Sequence, residues 1–180
     1  MVRGMKFLLS LGLVLLGLGV QPAHAGNEVD WATLNPNLRD AVSVGQKANC
    51  LDCHEDYIKA FLKTKHARQY KALFNKKGPE TCEVCHGPLS KHLDAKIEDK
   101  LSTTVSFSNI TPPQKNRICL QCHEKDLSLH WKGSTHEMAN VSCDKCHYVM
   151  ARKSARKMFI KGDSKKACFQ CHKDKRARIL

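Results

Sequence analysis

Ten cysteines constrain this chain more than any other feature, because all ten fall into five copies of one pattern. The copies are Cys50-Leu-Asp-Cys53-His54, Cys82-Glu-Val-Cys85-His86, Cys119-Leu-Gln-Cys122-His123, Cys143-Asp-Lys-Cys146-His147 and Cys168-Phe-Gln-Cys171-His172. Two thiols three positions apart can add to the two vinyl groups of one haem, and the adjoining histidine then reaches the iron from below the ring. Zinc ribbons pair CxxC units two at a time, so five units would leave an orphan, and they need no histidine after each second cysteine. Disulfide frameworks join distant segments, whereas here every cysteine already has a partner in a fixed local motif. The pattern therefore predicts five covalently bound haem c groups held by these ten cysteines, with His54, His86, His123, His147 and His172 as proximal iron ligands; zinc and redox dithiols are the rival readings.

The gaps between motifs are 27, 32, 19 and 20 residues, and eight residues follow His172. Such gaps leave no room for independent domains, so stacked macrocycles are expected to form the core, wrapped by short helices and loops. The fold class expected is a small multihaem cytochrome c, mainly α with much irregular structure and few or no strands. Residues 54–76 carry His54, Ile58, Leu62, His66, Tyr70 and Phe74 at four-residue spacing and predict one continuous helix ending at Gly78-Pro79. On such a helix His54 and His66 stand about 18 Å apart, so His66 would serve a different haem from His54. Weaker helices are expected at residues 89–101 and 150–159, a loop at 102–113 ending in Pro112-Pro113, and an extended polar arm at 26–47.

The N-terminus reads as an export signal. Arg3 and Lys6 precede an apolar run over residues 7–20, and Ala23-His24-Ala25 supplies a small-x-small cleavage site. The run is shorter than the roughly 20 residues that span a bilayer. The expected organisation is a signal peptide at 1–25 and a pentahaem domain at 26–180, with no transmembrane segment after cleavage. Export with covalent haem places the chain in the periplasm of a Gram-negative bacterium, free or associated with the outer membrane. The formal charge is +13, and loss of Arg3 and Lys6 with the leader brings it to +11. Five haems bring roughly ten propionate charges, which offset this excess, so the lysines read as solvating surface and propionate partners and not as a nucleic-acid surface.

Five irons call for five distal ligands. Outside the motifs stand His24, which leaves with the leader, and His66, His92, His130 and His136. Four histidines for five irons leave methionine, lysine or an open site for the last, with Met138, Met150 and Met158 as thioethers; Met150, three residues after His147, is the distal candidate chosen, donating to a neighbouring haem.

With Lys65-His66-Ala67, with Cys82-Glu-Val-Cys85-His86-Gly87-Pro88 followed by His92, and with His130-Trp131-Lys-Gly-Ser-Thr-His136 ahead of the fourth motif, the chain resembles two groups. These are the periplasmic pentahaem electron donors of formate-dependent nitrite reduction and one half of the decahaem cytochromes of outer-membrane porin conduits. The resemblance implies a closely spaced haem chain with bis-histidine ligation, and Met150 stands where those relatives carry the last histidine of a CxxCHxxH pattern. It implies an electron carrier in anaerobic or metal- and nitrogen-oxide respiration, not an enzyme. Its partners would be redox proteins: a quinol-side donor, and a terminal reductase or porin-cytochrome acceptor. The competing class is a small multihaem reductase with one open, catalytic haem, which the shortage of histidines favours. Against it, all five motif histidines are present, whereas the much longer pentahaem nitrite reductases replace one by lysine. The basic run Lys173-Asp-Lys-Arg-Ala-Arg178 reads first as a solvated terminus and second as a lure for an acidic partner.

Overall fold

A computed structural model describes residues 29–45, 49–74, 79–124, 130–154 and 158–178. The expected signal peptide at 1–25, with His24, lies outside them. The described residues are helical and irregular: α1 (Trp31–Leu34), α2 (Leu51–Leu62), α3 (Lys65–Phe74), α4 (Pro79–His86), α5 (Ser90–Asp94), α6 (Pro112–His123), α7 (Thr135–Met138) and α8 (Ser164–Cys168), with short 3-10 turns between them. Among these residues the only strand-like pairing is one antiparallel bridge, His147 with Phe159. The mainly α, loop-rich class expected of the sequence is what the chain adopts.

Each motif forms one turn of chain, with a kink at His54 (φ −124°, ψ 30°) inside α2. Motif 1 opens α2, motifs 2 and 3 close α4 and α6, and motif 5 begins on the last residue of α8. The histidine amide donates to the carbonyl of the first cysteine in motif 1 (3.0 Å), motif 4 (2.9 Å) and motif 5 (3.0 Å). In such a turn the side chains at i, i+3 and i+4 share one face, so two sulfurs and one imidazole converge on the same side of the backbone.

Side chains supply only a small core. Val29, Leu38, Val105, Ile110 and Ile118 are buried together, with Trp31, Leu34, Ala41, Cys85 and Phe107 packed around them. The stretch at 26–47 is therefore not a polar arm: within its described part, Val29 and Leu38 lie at the centre of the core. Asn35 donates to the carbonyls of Ser102 and Thr104 (both 2.9 Å), and Asn37 to Ser102 (3.0 Å). The carboxylate of Glu83, inside motif 2, accepts from the amides of Val44 (2.9 Å), Gly45 (3.3 Å) and Leu89 (2.9 Å) and from the Ser43 hydroxyl. Four donors satisfy this 8 % exposed acid in place of a counter-cation.

Four further expectations need correction. The helix expected over 54–76 is two, α2 and α3, broken at Lys63 and Thr64, where the Thr64 hydroxyl accepts from the Ala67 amide (3.3 Å) and starts α3; residues 75 and 76 lie outside the described set. Residues 150–154 and 158–159 are not helical, because the bridge to His147 returns this segment as a loop; 155–157 lie outside the described residues. Over 89–101 the chain forms α5 and then a 3-10 turn, Ile97–Thr103, in place of one helix. The loop expected at 102–113 holds for residues 104–111, but Pro112 is the first residue of α6, where its missing N–H costs nothing. Gln114 accepts from the Thr111 amide (2.8 Å) and hydroxyl (2.9 Å) to fix that start.

Candidate haem-binding site

The histidine rings come together across the chain. His54 of motif 1 faces His92, from α5, with ring centres 6.2 Å apart and planes 21° from parallel. His123 of motif 3 faces His66, from α3, at 5.9 Å and 75°. His172 of motif 5 faces His136, from α7, at 6.0 Å and 69°. With about 2 Å from metal to each ring nitrogen and about 1 Å from nitrogen to ring centre, two imidazoles on opposite faces of one iron have centres about 6 Å apart. The ring-centre spacing that a haem iron would need recurs at three places, each time with one motif histidine and one histidine from another element. His66 stands with His123 and not with His54, and the continuous helix from which their separation was expected is broken.

Second contacts orient the rings. Nδ1 of His92 lies 2.9 Å from the Lys100 carbonyl and Nδ1 of His86 2.8 Å from the Val105 carbonyl. Donation to a carbonyl at Nδ1 leaves Nε2 as the free electron pair for a metal. His66 differs: its Nδ1 stands 3.4 Å from the Met158 sulfur. Burial lowers the pKa of His66, assisted by His123 and His147, and burial lowers that of His86 against the pull of the Val105 carbonyl. Both shifts favour the neutral imidazole, the form that ligates. The His86 ring packs against Phe107 (5.9 Å) and the His147 ring against Phe159 (5.2 Å). His130 is exposed and Met150 half-buried, and neither belongs to the three histidine pairs.

Among the described residues, which include all ten cysteines, no disulfide forms. The thiols instead neighbour those of the next motif. Burial raises the Cys50 pKa and Cys82 adds to it; burial raises Cys85, with Cys122 adding; a hydrogen bond with Cys143 raises Cys119; burial raises Cys146, with Cys168 and Cys171 adding. Motifs 1 to 5 are therefore spatial neighbours in chain order. Two side chains that the motif pattern alone does not reveal hold neighbours in place. The buried Asn116 carboxamide, on α6, donates to the Val141 carbonyl (3.1 Å) and accepts from the Cys143 amide (2.9 Å), and Lys115 pairs with Asp144 (2.9 Å). Burial alone would raise Asp144, but hydrogen bonds from Ser142 and Lys115 outweigh it and hold the carboxyl below its usual range. No helix among the described residues is long and apolar enough to cross a membrane.

A chain of CxxCH turns with imidazoles paired across them is a multihaem c-type cytochrome. Family models agree: one described as "Cytochrome c-type protein NrfB-like" matches residues 82–171, and one for a doubled CXXCH motif matches residues 40–91. The chain belongs to the NrfB-like family of cytochrome c-type proteins. It is 31% identical over 134 residues to the multihaem cytochrome MtrA of Shewanella baltica, a match covering 72% of this chain and 38% of that protein. It is 27% identical over 143 residues to the cytochrome c-type protein NrfB of Escherichia coli O6:H1, covering 76% of this chain and 73% of that one. No solved structure gives a significant match.

Proposed function

We propose that the chain is a periplasmic electron carrier holding five haem c groups, exported by the segment at 1–25, and that residues 26–180 form one pentahaem domain. The observation that carries this reading is the set of three imidazole pairs about 6 Å apart, each formed across elements. His54 with His92, His123 with His66 and His172 with His136 are the ligand pairs on this reading; of the two remaining irons, Met150 serves that of His86, since it stands too close along the chain to His147, and His130 serves that of His147. Bound haem supplies one-electron chemistry; the residues fix spacing, axial donation and propionate solvation, which set each potential. The succession of neighbouring motifs supports exchange from one end of the chain to the other, with redox proteins as donor and acceptor in anaerobic, metal- or nitrogen-oxide respiration.

The test is expression of the full chain in a host that attaches haem c, with export. Intact mass and pyridine haemochrome should give five haems on a polypeptide beginning at Gly26, and near-infrared magnetic circular dichroism should give one His/Met band that Met150→His removes. A high-spin, five-coordinate signal in place of that band would remove Met150 from the ligand set and favour the reductase reading. Fewer than five haems would overturn the count itself.

A further inference from the structure

The five motifs are unequally enclosed. Both cysteines and the histidine of motifs 2 and 4 are half-buried, whereas Cys168, Cys171 and His172 of motif 5 are all exposed, as is His136 opposite His172. Motif 5 also stands at one end of the succession, neighbouring Cys146 of motif 4. Its surroundings are cationic: between residues 161 and 175, Lys161, Lys165, Lys166, Lys173 and Lys175 are exposed, against Asp163 and Asp174, a net charge of +3. At the opposite end, residues 49–59 hold Asp52, Glu55 and Asp56 against Lys59, a net charge of −2. Two propionates at motif 5 would still leave its rim positive.

We propose that the motif 5 face is the docking surface for a redox protein whose own centre is ringed by acidic residues. The proposal rests on the electron-carrier reading above. An exposed centre inside a basic rim does two things: opposite charge raises the encounter rate, and it orients the partner with its centre toward His172 and not toward the acidic motif 1 end. Because rim charges act over about one Debye length, the contact weakens steeply with salt.

The probe is oxidised flavodoxin, an acidic one-electron protein, titrated into oxidised holoprotein while the haem methyl resonances are followed by NMR. Resonances of the haem bonded to Cys168 and Cys171 should shift saturably at low salt, the shifts should vanish at high salt, and binding should weaken about tenfold or more in Lys161→Glu/Lys166→Glu/Lys173→Glu. Glu55→Lys/Asp56→Lys should change it by less than about twofold. Shifts centred on the haem bonded to Cys50 and Cys53, no saturable shift, or indifference to the triple reversal would each overturn the proposal. So would loss, in that variant, of binding to phosphatidylglycerol vesicles with no flavodoxin effect in the native protein, since the face would then meet a membrane. Haem count and reduction by dithionite are recorded on the same samples: failure of docking with five reducible haems sinks the docking face alone, and a deficit of haem sinks the carrier reading.

Discussion

Among the ring nitrogens that face a second partner, that of His66 meets the weakest one. A thioether attracts an N–H far less than a carbonyl does, so as an iron ligand His66 would donate less charge than His92 or His86, whose Nδ1 atoms meet carbonyls. Met158 is held there at some cost, being 7 % exposed with φ of 52°. With His66 as a ligand, Met158→Gln should lower the potential of that haem and Met158→Leu should raise it slightly, a pair of opposite shifts that spectroelectrochemistry would detect; shifts of one sign in both would assign Met158 to packing alone. Gly87, directly after motif 2, has φ of 78°, and a Cβ there would lie 3.0 Å from Leu38 Cδ1 and 3.1 Å from Trp31 Cε3. Gly87→Ala should therefore cost about 1–2 kcal/mol, or roughly 3–8 °C in melting temperature, read by thermal unfolding followed in the haem bands. Residues of this kind were only partly legible in the sequence. The motif cysteines and histidines announce themselves by fixed local spacing, whereas Glu83, Asn116 and Met158 act through partners 25 to 92 positions away, which no local pattern encodes.

The helices here are short: α2, α4, α6 and α8 each carry a motif at one end, and α3, α5 and α7 each carry one of the paired histidines. The start of α6 is legible in the sequence: Thr111-Pro-Pro-Gln114 is a capping-box sequence with proline at the first helical positions, a stronger mark of a beginning than of a loop's end. The four-residue spacing from His54 to Phe74 persists across the two-residue break at Lys63 and Thr64, so periodicity alone does not separate α2 from α3. The burial of Val29 and Leu38 is not legible locally, because two apolar anchors nine residues apart have no period and their burial depends on Val105, Ile110 and Ile118 far along the chain. Asn116 shows how elements are fastened. Asn116→Ala would leave the Val141 carbonyl and the Cys143 amide without their partner, at a cost of about 1–3 kcal/mol. Motif 4 should then be presented less well for attachment, and intact mass spectrometry should show a population lacking one haem; full occupancy with unchanged stability would assign Asn116 no such role.

At the scale of the whole molecule, the five apolar residues buried in one cluster among the described residues are a small core for a chain of this size, and on the haem-binding reading the macrocycles between the paired imidazoles would supply the rest. A chain whose cysteines are all changed to serine, and which cannot be loaded, should show little helix by circular dichroism and be cleaved rapidly by protease. The same pairs make a spectroscopic demand that separates them from one another. When two axial imidazoles lie nearly parallel, both donate into the same one of the two iron dπ orbitals, those two orbitals split widely, and the oxidised low-spin centre gives a rhombic paramagnetic resonance signal. When the planes are nearly perpendicular the two orbitals stay close in energy and the signal becomes strongly anisotropic, with one very large g value. His54 with His92, at 21°, should give the first kind; His66 with His123, at 75°, and His136 with His172, at 69°, should give the second. His92→Met should remove a rhombic component and leave both large-g components intact, and His66→Met should remove a large-g one. Loss of a large-g component in His92→Met would mean that the ring planes turn on ligation, and loss of no component in either variant would take both histidines out of the ligand set.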